Sequence, residues 1–305
     1  MTGPAARLRW LAAALVLVGA VLLAWGGFQL VQRWMPPVAL AQPTVSPVVM
    51  PPLPPGAEAD ALGRLTAWPG KKSVPCPEQT PDTAVILVLG QSNAGNHGQT
   101  LAIREPRPEV LNWQVGGCTL ASSPLLGATG QGGEPWTLLA DQLVKGQQAK
   151  QVVIAPLAVT SSGISRWVPG GDIDQQLVSE VRSLQSLYRT THVVWVQGET
   201  DFGETQPEER YRSSLLSVVK TLRSLGVRAP VHVSVATRCN TRVPWTPDNG
   251  IARAQASVVS VPDHILAGVN MDALLGVEDR YDGCHLNTQG LSAVALAWAQ
   301  LLIPR

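Results

Sequence analysis

Three side chains, Ser92, Asp282 and His285, have the types and the spacing for nucleophilic acyl transfer. A serine hydroxyl is a poor nucleophile until a base removes its proton, and imidazole is the side chain whose pKa suits that task near neutrality. Asp282 precedes His285 by three residues, which lets its carboxylate reach the second ring nitrogen, fix the tautomer and stabilise the imidazolium that forms. A lone serine in a polar loop, or a lone histidine before a helix, is more often structural. What singles these out is that Ser92 falls just past the carboxyl end of an expected strand, while Asp282 and His285 fall in the segment after the last expected strand, so that all three should meet at one rim. His97 is the rival base, but it stands in the serine's own loop and would approach the hydroxyl with no support behind it.

Acyl transfer also needs donors aimed at the developing oxyanion. The candidates are the backbone N–H of Ser92, a backbone N–H in the loop Thr160-Ser161-Ser162-Gly163, and the side-chain amide of Gln197. Glu199 could orient Gln197 or serve as a second partner for His285; the sequence leaves both open. Gln91 and Asn93 flank the serine, and an Asn side chain can tie such a turn.

These residues must be carried by a scaffold, and the chain alternates regularly. Val85–Leu89 is a continuous apolar run ending at Gly90, as expected of a central parallel strand buried on both faces. Further strands are expected at 151–159, 192–196, 231–236 and 265–269. Helices are expected at 135–148, from Asp172, after Thr205-Gln206-Pro207-Glu208, at 248–260 and at 287–302. Five strands alternating with helices predict a three-layer, doubly wound α/β domain over residues 60–305. Residues 95–134 are Gly-rich without clear periodicity, and read as a functional insertion near the site.

The chain begins differently. Residues 10–31 are apolar with Gln29 as the interruption, and span roughly 30 Å as a helix, enough to cross a bilayer. Arg7 and Arg9 precede the run, so the positive-inside rule puts residues 1–9 in the cytoplasm and the rest outside. A single-pass anchor in the cytoplasmic membrane, with a periplasmic or extracellular domain, is the expectation; a cleaved signal ending at Ala39-Leu40-Ala41 is the alternative. Residues 32–59 read as a Pro-rich spacer. Cys76, Cys118, Cys239 and Cys284 all fall on the exported side, where disulfides persist. Three pairings are open; Cys76 with Cys118 and Cys239 with Cys284 is expected, because the second would join two loops at one end of the sheet. A net charge of +1 offers nothing to nucleic acid, and no metal-ligand spacing or nucleotide fingerprint implies a cofactor.

The blocks GQSN at 90–93, WVQGETD at 195–201 and DGCH at 282–285 resemble the SGNH hydrolases. Within them the chain is most similar to the branch of sialate O-acetylesterases and carbohydrate esterase family six acetyl-xylan esterases, over roughly residues 82–303. The resemblance implies a flavodoxin-like sheet and metal-free removal of O-acetyl groups from a carbohydrate, with Ser92 as nucleophile, His285 as base and Asp282 as its orienter. It also exposes a departure. Where the family shows Gly-Gly-Thr after the second strand this chain has Thr160-Ser161-Ser162, so the oxyanion glycine falls on Ser161, and Gly163 or the Gly130–Gly133 turn are substitutes. An O-acetyltransferase would use the same residues, and an idle glycan-binding protein of an envelope polysaccharide system is the reading from another class.

Ten Trp against two Phe is an unusual balance, and Trp113, Trp136, Trp167 and Trp245 lie near the expected rim, where they could stack on sugar faces or simply pack. Arg166 and Arg238 could meet an acidic sugar.

Overall fold

The structure, a computed structural model, describes residues 51–103, 105–241 and 243–302. The anchor at 10–31, the segment 1–9 and residues 32–50 of the spacer lie outside the described residues. Among the described residues no helix is long and apolar enough to cross a membrane.

The central strand β4 (Thr83–Gly90) shows why the sheet is buried on both faces. Val85, Leu87 and Leu89 point into one hydrophobic cluster, and Ile86 and Val88 into the other. Each such side chain contributes roughly 1.5–3 kcal/mol of burial. Beside β4 run β7 (Gln151–Ala158) and β8 (His192–Val196), both parallel to it. β9 (Val231–Val235) and β10 (Ile265–Asn270) extend the sheet beyond β8, again in parallel. These are the five strands expected from the sequence. Numbered one to five along the chain, they lie in the order 2-1-3-4-5, a doubly wound arrangement whose direction reverses between β4 and β8.

The expected insertion is not featureless. It contributes β5 (Val110–Gln114), parallel to β7, and β6 (Gly117–Leu120), antiparallel to β5. With β3 (Ser73–Val74) at the far edge the sheet has 8 strands rather than five. A separate hairpin pairs β1 (Glu58–Ala59) with β2 (Leu65–Ala67), so the last residues assigned to the spacer already belong to folded structure.

Helices cover both faces. Over the Ile86 face lie α1 (Pro135–Lys145), capped by the Glu134 carboxylate accepting from Thr137 N–H, and the C-terminal helix (Thr288–Leu302). Over the Val85 face lie α2 (Asp172–Gln185), the helix Glu208–Ser224 and the helix Gly250–Ser257. The Thr205 capping box is not formed: Thr205 adopts a left-handed φ of 54°, and the helix begins at Glu208 behind Pro207 with no side-chain cap.

Both expected disulfides are present, Cys76–Cys118 and Cys239–Cys284. The second joins the segments after β9 and β10 at the carboxyl end of the sheet.

Candidate active site

The serine turn begins with a close backbone approach. Gly90 has φ 149°, and a Cβ there would meet the Val196 carbonyl oxygen at 1.9 Å, so a side chain would push β4 and β8 apart where the chain must turn. Gln91 N–H then donates to Val196 O at 3.0 Å, and Ser92–Ala94 form one 3-10 turn. Trp136 Nε1 donates to Ala94 O at 2.7 Å and holds the turn from beneath. Ser92 is buried, and among the described residues neither its Oγ nor its N–H has a hydrogen-bond partner.

The histidine loop is a rigid hairpin. Asp282 Oδ1 accepts from the backbone N–H groups of Cys284 and His285 at 2.9 and 2.7 Å, while Oδ2 stands 2.7 Å from His285 Nδ1. Burial pushes the Asp282 carboxyl up, but these bonds outweigh it and hold the pKa below the usual carboxylate value, so the group is an anion facing imidazole. Nδ1 therefore carries the proton, which leaves Nε2 as the basic nitrogen. No hydrogen bond joins Ser92 Oγ to His285 in this structure.

What links the two loops is Asn93. Its Nδ2 donates to Glu199 Oε1 at 2.7 Å and to Cys284 O at 3.4 Å. The residue after the serine thus touches the residue before the histidine. Arg280 Nη1 also donates to Cys284 O. Glu199 is buried and its Oε2 has no partner among the described residues; burial drives its pKa up to about 7, with the Asn93 bond and the Arg280 charge pulling the other way. Glu199 therefore neither orients Gln197 nor pairs with His285. It braces Asn93.

Gln197 is not an oxyanion donor here. Its Nε2 protons are directed to Ser162 O at 3.0 Å, Gln91 Oε1 at 3.2 Å and the Asp201 carboxylate, while Oε1 accepts from Tyr211 Oη at 2.8 Å. Both protons are spent, and the amide acts as a buried strut. Gln91 Oε1 in turn receives Gly198 N–H and Thr200 N–H at 3.4 and 3.3 Å. Asp201 and Tyr211, which the motif reading left without a role, complete this lattice: Asp201 also accepts from Ile164 N–H and so pins the loop after β7. That loop keeps a glycine-like shape despite its substitution, because Ser161 adopts φ 52° in the left-handed region. The Gly130–Gly133 turn contributes less: Gly132 and Gly133 spend their N–H groups on Asn96 O and Gly98 O. Among the described residues, backbone donors without a partner remain at Ser92, Ser161 and Gly163, on neighbouring strand ends, since Gly90 pairs with Ala158 in the sheet.

The tryptophans are mostly structural. Trp113, Trp136 and Trp167 are buried and offer no face to a sugar. Trp167 packs edge-on against Trp195 at 5.2 Å and donates to Ser162 Oγ, bracing the loop after β7. Trp245 is half-buried, with the Arg238 guanidinium 4.6 Å above its ring. Arg238 is thereby occupied, and Arg166 is paired with Asp172. His97 lies against His285, ring centroids 5.2 Å apart, and its Nε2 is 3.1 Å from Thr129 Oγ1. Burial, then the His285 charge, hold its pKa far below the ordinary imidazole value; it is a neutral neighbour of His285.

The family model described as "Carbohydrate esterase, sialic acid-specific acetylesterase" matches residues 82–303. No curated protein matches the chain. Among solved structures, a protein from Arabidopsis thaliana superposes with a TM-score of 0.59 at 18% identity, covering 73% of this chain and 98% of its own. A carbohydrate acetylesterase from Xanthomonas citri gives 0.46 at 14% identity, over 72% of this chain and 54% of its own. An acetyl xylan esterase gives 0.41 at 16%, over 55% and 89%. With three motif blocks converging at the carboxyl end of one sheet, and a family match over most of its length, the chain belongs to the sialic acid-specific acetylesterase family of carbohydrate esterases and is a carbohydrate O-acetylesterase.

Proposed function

We propose that the protein removes O-acetyl groups from an exported glycan through a serine acyl-enzyme. The observation that carries this reading is the Asp282–His285 pair held, through Asn93 and Cys284, against the Ser92 turn. Ser92 Oγ attacks the acetyl carbonyl carbon and its proton passes to His285 Nε2. The backbone N–H groups of Ser92 and Ser161 receive the oxyanion, with Gly163 N–H beside them. When the carbonyl carbon–alkoxy oxygen bond breaks, His285 returns the proton to the departing sugar oxygen. Water then attacks the acetyl-Ser92 ester, again giving a proton to His285, and acetate leaves as Ser92 recovers it.

The location is part of the same proposal. The apolar run 10–31 would anchor the chain in the cytoplasmic membrane, with the catalytic domain in the periplasm or outside the cell. Two disulfides in one domain support an oxidising compartment.

The test is acetate release by the full-length protein from acetylated xylan and an aryl acetate, beside Ser92→Ala. Release by the wild type and its loss in the variant, with an unchanged circular dichroism spectrum, are expected. Equal release by both would remove Ser92 from the mechanism.

A further inference from the structure

Resting on that reading, we propose that Tyr281 is the platform on which the sugar ring carrying the acetyl ester stacks, making it the residue that sets carbohydrate selectivity. The geometry of the reaction locates the sugar. The departing oxygen must lie beside His285 Nε2, since that nitrogen returns the proton, so the ring bearing that oxygen sits within about one ring's breadth of the imidazole. Tyr281 is the aromatic neighbour exposed at that distance: its ring centroid is 6.2 Å from that of His285, with the planes inclined by 30°.

Exposure points the same way. Tyr281 is 47% exposed and is the one exposed Phe, Trp or Tyr among the described residues. The tryptophans that might have served are buried or, at Trp245, covered by Arg238. An exposed aromatic ring has an apolar face open to a partner, and the apolar face of a pyranose is one of the right size and chemistry. Its hydroxyl has no hydrogen-bond partner among the described residues and is free to meet a sugar hydroxyl.

The mount is rigid. Tyr281 N–H donates to His285 O at 3.0 Å, and Arg280 bridges to Leu286, so the ring rides on the same hairpin as the base. Asp282 ties the hairpin internally, and the Cys239–Cys284 bridge fixes it to the segment after β9. A platform set in this way loses little conformational freedom when it binds, so more of the stacking energy appears as affinity.

The experiment compares kcat and KM of full-length wild type, Tyr281→Ala and Tyr281→Phe on a mono-O-acetylated pyranoside and on ethyl acetate, an ester with no ring. Tyr281→Ala is expected to lower the sugar-to-ethyl-acetate ratio of kcat/KM about tenfold, mainly through KM, as burial of one ring face implies. Tyr281→Phe should recover most of that ratio. An equal fall on both esters would mean that the ring acts through His285, and an unchanged ratio would mean that it does not meet the sugar; either overturns the proposal. Binding of the acetylated pyranoside to Ser92→Ala protein, with and without Tyr281→Ala, is read by calorimetry without turnover. A failure of the serine mechanism is thereby distinguished from a failure of the platform. Equal affinity in the two proteins would also refute it.

Discussion

Glu199→Gln tests the brace behind the Ser92 turn. In the folded protein the carboxyl is 2% exposed, with one oxygen taken by Asn93 at 2.7 Å and the other unpartnered. Its pKa is about 7, against an ordinary 4.5. Between those values the folded state holds a proton that the unfolded chain has released, so stability is fully present below pH 4.5 and declines as pH rises through about 7. The gap corresponds to about 3 kcal/mol. Glutamine has nearly the same shape, its carbonyl oxygen can accept from Asn93, and it does not ionise. The difference in unfolding free energy, variant minus wild type, should therefore climb by about 3 kcal/mol between pH 4 and pH 8 in favour of the variant, on the order of 10 °C in Tm for a domain of this size. The unpartnered amide nitrogen adds a constant cost of about 1–3 kcal/mol, which displaces the curve without tilting it. Groups common to both proteins cancel in the difference. The assay is thermal or urea unfolding across pH 4–8. A flat difference curve would refute the argument that this carboxyl is driven up by burial.

Reduction of Cys239–Cys284 should slow acetate release, because the bridge closes a span of 45 residues and holds the loop of His285; unchanged turnover after thiol titration has verified reduction would oppose this. Ser161→Gly should retain activity and gain up to about 1 kcal/mol of stability, since φ 52° strains a side chain, whereas Ser161→Val should lose both; kcat and Tm of the two variants decide it. Trp167→Ala should cost about 3–5 kcal/mol in urea unfolding, as expected for a ring with no exposed surface. A loss below about 1 kcal/mol would mean that this ring is not core.

The order of the three motif blocks, the alternating apolar segments and the pairing expected of the four cysteines were legible before any coordinates. Local pattern is enough for these: a strand buried on both faces must read as Val85–Leu89 does, and Asp282 reaches His285 across three residues whatever the rest of the fold does. The short β5 was hidden because its residues lie in a Gly-rich stretch and find their partner only in β7, some forty residues on, where Val110 pairs with Val152. Partner choice among polar side chains was likewise invisible. Gln91 meets Gln197, and Asn93 meets Glu199, each across 106 positions, because the sheet sets β8 beside β4. From residue types alone Gln197 is as good an oxyanion donor as it is a strut. The tertiary structure decides between them by burying its amide among three acceptors, and decides in the same way which tryptophan rings pack in the core while Tyr281 is left facing solvent.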